Sequence, residues 1–294
     1  MILITGSTGF VGTHLVRGLA EAGHKVRALV RDPASAGKFA GLDVETAAGD
    51  VGNPDSLVTA ARGCDAVIHL VGIIQPGPGY TFRSVHVEGT RNVLEAAKRA
   101  GTVRQFIYQS ALGTRPDAPT EYFRTKHEAE KLTKVSGLEY TITRPSIIYG
   151  KGDGFTTKLI EIIKLSPVVP VIGTGRTLFQ PVYVGDLVQA FLKIIYNEGY
   201  FGRTLEICGP GTLSFDEIVE SLMGALGSRK VSVHVPLSLV RPAAFVMERL
   251  LPKPPVTTDQ LKMLDEDNVC RLNALEEMGI RPVPFREGLA KFIK

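Results

Sequence analysis

Tyr122 and Lys126 stand four residues apart in Tyr122-Phe-Arg-Thr-Lys126. On a helix that spacing puts the phenol and the ammonium on one face, within reach of one ligand. A tyrosine ordinarily titrates near 10, and an ammonium beside it stabilises the phenolate. Bringing the phenol to about 7 takes roughly 3 pH units, or about 4 kcal/mol, from a charged neighbour in a partly dry site. Tyr122 placed in this way is a general acid or base for a carbonyl or carbinol oxygen. The same pair on an exposed helix is an ordinary solvated pair, so its position decides. Ser110 ends the expected strand that begins at Gln105. That is the carboxyl edge at which doubly wound sheets bind ligands, and a hydroxyl there can hold the substrate oxygen.

A second constellation opens the chain: Thr5-Gly6-Ser7-Thr8-Gly9-Phe10-Val11-Gly12, a GxxGxxG run between an apolar segment and a helical pattern. Gly6 permits the tight turn, Gly9 lets a pyrophosphate approach the backbone, and Gly12 allows helix to pack closely on strand. Thr8, Phe10 and Val11 belong to the same loop and helix start. The free N–H groups and positive dipole end there suit phosphate. The second strand is expected to end at Val30, where an acidic residue would hold the ribose of NAD. Arg31 follows, and a guanidinium there pairs with a 2′-phosphate. NADP is therefore favoured over NAD, while Asp32 would favour NAD if the strand ran further.

Alternating strands and helices must position these residues. Strands are expected at Ile2–Ile4, Lys25–Val30, Val44–Ala47, Ala66–Val71, Gln105–Ser110 and Tyr140–Arg144, with helices at Val11–Ala22, Asn53–Arg62, Ser84–Ala100 and Glu121–Val135. That rhythm implies βαβ units and a parallel sheet, and hence an α/β fold with a doubly wound parallel sheet of Rossmann type. After Tyr149, glycines and prolines punctuate the chain up to Gly175. Helices are then expected at Val184–Tyr196, Phe215–Leu226 and Leu237–Leu251, with strands near Thr204–Ile207 and Val231–Val235. Pro252, Pro254 and Pro255 interrupt the chain before a last helical stretch. Residues 1–150 read as the dinucleotide-binding domain, with 180–208 returning to it. Residues 151–179 and 209–294 read as a smaller α/β subdomain that builds the substrate pocket.

Composition narrows the class. Hydrophobic residues make up 44% and charged residues 22% of the 294, as in a globular protein with a full core. A net charge of +4 without long like-charge runs gives no footprint for nucleic acid. Cys64, Cys208 and Cys270 lie far apart and form no CxxC pair, so neither a zinc site nor a disulfide framework is expected. A reducing, cytoplasmic setting fits. His14, His69, His86 and His127 are scattered and form no metal-binding pattern; His69 reads as a satisfied core histidine. Asp186 reads as a helix anchor rather than a catalytic group. Leu237–Leu251, with Arg241 and Arg249, reads as an amphipathic surface helix. Packing or interface formation is its ordinary role, and peripheral membrane attachment is the alternative.

The succession GxxGxxG, strand-ending serine and YxxxK resembles the short-chain dehydrogenase/reductase (SDR) superfamily. Further segments resemble its extended and atypical, epimerase/dehydratase-like branches: Gly49-Asp50-Val51, His69-Leu-Val-Gly72, Gly89-Thr-Arg-Asn-Val-Leu-Glu-Ala-Ala97, Arg144-Pro145 through Tyr149-Gly150, and Val184-Gly-Asp186-Leu. The runs Phe179–Asp186 and Pro254–Gln260 are most similar to the NDUFA9-like group, related to the 39 kDa NADPH-binding accessory subunit of respiratory complex I. The resemblance implies that Asp50 and Val51 contact adenine, Val71 and Gly72 line the adenosine side, Lys126 also holds the nicotinamide ribose, and Pro145 lies near the nicotinamide. His86 stands where the family often has Asn. The short Ser110–Tyr122 spacing argues against sugar-nucleotide substrates. An NAD(P)-dependent oxidoreductase acting on a small-molecule carbonyl or hydroxyl is the expectation. A non-catalytic NADPH-binding accessory or sensor protein, and a sugar-nucleotide epimerase or dehydratase, are the alternatives. Partners are expected to be the small-molecule substrate and, by resemblance, a respiratory complex or membrane surface, with the chain monomeric or homodimeric.

Overall fold

The computed structural model describes residues 1–251, 254 and 256–293. In chain order the first elements are β1 (Ile2–Thr5), α1 (Phe10–Glu21), β2 (Val26–Val30), β3 (Val44–Ala48), α2 (Pro54–Ala61), β4 (Ala66–His69), α3 (Gly89–Ala100), β5 (Gln105–Gln109), α4 (Glu121–Lys134) and β6 (Glu139–Pro145). Then follow β7 (Ile148–Tyr149), α5 (Gly154–Leu165), β8 (Val169–Ile172), β9 (Leu178–Phe179), β10 (Val182–Tyr183), α6 (Val184–Ile194) and β11 (Arg203–Ile207). The last are β12 (Leu213–Ser214), α7 (Phe215–Ala225), β13 (Ser232–Val235), α8 (Leu237–Leu250), α9 (Thr258–Met263), α10 (Ala274–Glu277) and α11 (Phe285–Ala290). Two compact units form: Met1–Arg144 with Leu187–Leu205, and Pro145–Asp186 with Glu206–Lys294.

The first unit carries a seven-stranded sheet in the order β11-β6-β5-β4-β1-β2-β3. Every pairing from β3 across to β6 is parallel. This is the Rossmann-type α/β arrangement. Strands β1 and β4 are buried along their whole length because helices cover both faces, which is why they read as continuous apolar runs. The strand order reverses between β1 and β4. Such a switch point is where sheets of this kind hold ligands.

Helix α4 is fixed to the sheet by a buried ion pair. Glu130 is 1% exposed and receives Arg144 Nε at 2.8 Å and Nη2 at 2.7 Å, a two-pronged contact. Thr120 caps the helix through the Phe123 N–H. The expected helix from Ser84 begins differently. Arg83–Glu88 forms one π-helical turn before α3. There the Gly89 N–H reaches back to the Ser84 carbonyl, and the Thr90 hydroxyl holds the His86 carbonyl at 2.6 Å.

The second unit is built of two-stranded pieces: β7 with β10, β8 with β13, and β9 with β12. Tyr149, Phe179, Phe215, Ile218 and Leu289 lie at its core. Gly288 is required there, because a Cβ would collide with the Tyr149 hydroxyl. Asp186 is an anchor as expected: its Oδ2 accepts the Val283 N–H at 2.8 Å. The expectation that no disulfide forms is corrected. Cys208 and Cys270 are bonded across 62 residues, so the inference of a reducing compartment from unpaired cysteines loses its premise. The final helical stretch is three short helices, α9, α10 and α11. Pro252 and Pro255, the latter within the Pro254–Gln260 match, lie outside the described residues.

Replacing Arg144 with Met leaves the Glu130 carboxylate buried and unpaired. Urea unfolding should show a loss of about 3–5 kcal/mol. A loss below about 1 kcal/mol would mean that the pair does not hold α4 to the sheet.

Candidate active site

The glycine loop joins β1 to α1. Gly6 has φ +76°, and a Cβ on it would lie 3.1 Å from the backbone of Leu70 and Val71. A Cβ on Gly12 would collide with the Gly6 carbonyl. The loop is thus closed by its own backbone, and only glycine fits at these two places. Gly9 is the N-cap of α1 and brings no side-chain acceptor. The first N–H groups of α1, at Phe10, Val11 and Gly12, are therefore not capped by a side chain, as a pyrophosphate cradle requires. Ser7 is buried and donates to the Leu29 carbonyl at 2.6 Å, which ties the loop to β2. Thr8 accepts at its carbonyl from Lys38 Nζ at 2.8 Å. These residues fit a dinucleotide pyrophosphate.

Strand β2 ends at Val30, as read from the sequence. Arg31 is 82% exposed and lies 3.9 Å from Asp50, a loose surface pair that a ligand can displace. The Asp32 carboxylate is engaged elsewhere, accepting the Ala34 N–H at the start of the 3-10 helix Pro33–Phe39. Lys38 on that helix is a candidate that sequence reasoning missed. The Asp32-Pro33 cap signal could have placed the helix, but not the reach of Lys38 to the loop. Asp50 and Val51 follow β3; Asp50 Oδ1 accepts the Gly52 N–H at 2.7 Å.

The expected catalytic residues stand on α4 and just after β5, and the loop after β4 runs beside Lys126. Lys126 is 3% exposed. Its Nζ donates to the Gln109 carbonyl at 3.0 Å and sits 5.0 Å over the Tyr108 ring. Ser110 follows Gln109 directly and is also buried, with its Oγ donating to Thr114 at 3.3 Å. A Cβ on Gly72 would stand 3.0 Å from Lys126 Nζ, so the missing side chain is what leaves room beside the ammonium. Val71 lies against Gly6 across the crevice. Tyr122 is half-buried, one helical turn before Lys126, with the rings of His86 and Phe82 at 5.4 and 6.0 Å. Its hydroxyl makes no hydrogen bond among the described residues. Pro145 is the last residue of β6 and opens the second unit.

Two buried histidines frame the lysine. His86 Nε2 accepts the Ile73 N–H at 3.1 Å, which assigns the proton to Nδ1; Nδ1 then donates to Thr125 Oγ1 at 2.9 Å. The Thr90 hydroxyl is spent on the His86 carbonyl, so His69 Nε2 donates to it at 3.1 Å and His69 Nδ1 accepts from Thr5 at 2.6 Å. His69 is thus the satisfied core histidine expected. Burial, then the Lys126 charge, pushes His69 down to about 3 and His86 down to about 2. Burial lowers Lys126 to about 8, against a compensating pull from Glu130.

One expectation is corrected. Burial pushes the Tyr122 phenol up to about 12, not down toward 7. The Lys126 ammonium is aimed at Gln109 and Tyr108, and desolvation of the phenolate wins. At neutral pH Tyr122 is protonated, and Lys126 is the charge retained among these groups.

The fold and loop define a dinucleotide-binding α/β protein of the SDR kind. Residues 6–164 match the NAD(P)H-binding family, and the chain belongs to that family. A ceramide reductase of Caulobacter vibrioides is 37% identical over 172 residues, which cover 58% of this chain and 54% of that protein. The 40 kDa subunit of NADH-ubiquinone oxidoreductase from Neurospora crassa is 27% identical over 291 residues, 95% of this chain and 75% of that one. Its homologues thus include NDUFA9-like subunits. MoeE5 in complex with UDP-glucose and NAD shares the fold, with TM-score 0.77 at 23% identity, over 99% of this chain and 97% of that one.

Both histidines are neutral in the folded state and protonate near 6.5 when unfolded. Their contribution is present above pH 6.5 and is lost as the pH falls toward 3. At pH 5.5 each should cost about 1.4 kcal/mol of stability. Urea midpoints of the wild type and of His86→Asn, measured at pH 7.5 and 5.5, should show a smaller acid loss in the variant. Equal losses would contradict the assignment.

Proposed function

We propose that this protein is an NADP(H)-dependent oxidoreductase that reduces a small-molecule carbonyl or oxidises the matching alcohol, with Tyr122, Lys126 and Ser110 as the reacting constellation. The observation that carries this reading is the buried Lys126 ammonium, held against the end of β5 in the space that Gly72 leaves open. An ammonium kept dry and charged is costly, and a site that retains one uses it. The nicotinamide, when bound, supplies or accepts the hydride. Ser110 Oγ orients the substrate oxygen. The Tyr122 phenol, protonated at neutral pH, gives its proton to that oxygen as the carbonyl carbon is reduced, and solvent then restores the proton. Lys126 keeps a positive charge at the site and holds the nicotinamide ribose.

The choice of NADP rests on four residues. Val30 brings no carboxylate to the ribose, Arg31 is exposed, Asp32 is committed to its cap, and Lys38 stands beside the loop. The relative named a ceramide reductase supports a carbonyl substrate. A second reading, a cofactor-binding subunit without turnover, is favoured by the match to the 40 kDa complex I subunit along nearly the whole chain. Association with a respiratory complex belongs to that reading. The epimerase or dehydratase alternative has the support of shared fold.

Tyr122→Phe should abolish NADPH oxidation across a carbonyl panel while the NADPH dissociation constant moves less than about threefold. Unchanged turnover would remove Tyr122 from the chemistry, and a wild type that binds NADPH but oxidises it with no carbonyl would favour the accessory reading. Reduction by the wild type should decline above pH 8 as Lys126 loses its proton. Arg31→Asp should weaken NADPH binding at least about tenfold and leave NADH binding nearly unchanged, measured by nicotinamide fluorescence. Equal effects on the two would assign the ribose contact elsewhere.

A further inference from the structure

Helix α8 is turned inside out for a surface helix. At about 100° per residue, Leu239, Val246 and Leu250 share one stripe. They are 67%, 52% and 74% exposed. The opposite side holds the polar groups. Glu248 accepts the N–H and hydroxyl of Thr258, Arg241 pairs with Asp265, and Ala244 is buried. Thus Glu248 and Arg241 are engaged by α9 and the turn after it, and the apolar stripe faces outward. Beside the stripe, Phe245 is half-exposed and the Arg249 guanidinium stacks 3.5 Å over its ring. The segment leading into α8 adds exposed Val231 and Val233, preceded by Arg229.

The same stretch of sequence is the basic one. Residues 229–262 hold six basic and two acidic side chains, while the remainder of the chain carries the two signs in equal number. Arg229 and Arg249 have no carboxylate partner among the described residues. At 14 residues α8 is about 21 Å long, and among the described residues no helix is long and apolar enough to cross a membrane.

We propose that α8 docks this protein flat onto an anionic lipid surface. Leu239, Val246 and Leu250 enter the acyl boundary, and Arg229 and Arg249 meet headgroup phosphates. An apolar stripe flanked by unpaired cations is the pattern of an interfacial helix, in which area and charge act together. A second copy fits less well, because a two-fold contact through the stripe would bring Arg249 toward its own mate without a carboxylate between them. The inference is independent of the proposed chemistry.

The test is flotation of the full chain with vesicles of phosphatidylcholine alone and of phosphatidylcholine mixed with phosphatidylglycerol, at low and high salt. Anionic vesicles should carry the wild type up, neutral vesicles at least about tenfold less, and high salt should release most of it. Val246→Glu with Leu250→Glu should abolish flotation, and Arg229→Glu with Arg249→Glu should reduce it about tenfold or more. Leu239→Glu serves if the double variant melts early. Wild type that stays at the bottom with anionic vesicles overturns the proposal. So does a glutamate variant that folds and still floats. A dimer in solution that the glutamates convert to monomer would overturn it in favour of a second copy.

Discussion

Burial of one ammonium group governs the candidate site. Lys126 is almost fully enclosed, yet with its ordinary pKa lowered only to about 8 it still carries its charge at pH 7. A buried cation must find acceptors or lose its proton. The Gln109 carbonyl and the face of Tyr108 supply part of that need, and Glu130, one turn further along α4, pulls the other way against desolvation. Glu130 is in turn held by Arg144 on β6. Sheet, helix and ammonium are therefore one electrostatic unit. The nearby histidines complete it by staying neutral: each has its two ring nitrogens committed to partners, so neither competes for the proton.

The same constraint explains residues that are small. Gly72 has no side chain because Lys126 Nζ stands where a Cβ would press. Gly6 turns at positive φ under Leu70 and Val71, so the loops after β1 and β4 meet at the point where strand order reverses. The phosphate cradle and the ammonium are thus set by backbone proximity in one crevice, within one unit of the chain.

Much of this was legible in the sequence because it is local. GxxGxxG, the end of β2 at Val30 and the i, i+4 spacing of Tyr122 and Lys126 depend on a few neighbouring residues and on helix and strand periods. What escaped is long-range. The disulfide joins Cys208 and Cys270 across 62 residues, and no spacing rule reaches that far. The His86 ring, within the π-helical turn, meets Ile73 and Thr125 on other elements. The Tyr122 phenol rises rather than falls because the direction of Lys126 Nζ is set by β5, which spacing on α4 does not reveal. The second unit is stitched from strands of two to four residues with little periodicity, so its core was the least readable part.

The state of Lys126 tests this picture most directly. Heteronuclear NMR on protein labelled at lysine Cε, compared with Lys126→Met, reports the titration of this one side chain without requiring a substrate. A resonance absent from the variant should titrate near pH 8, well below the ordinary lysine value of 10.5. A Lys126 that titrates at the ordinary 10.5 would place its ammonium in solvent and contradict the site described above.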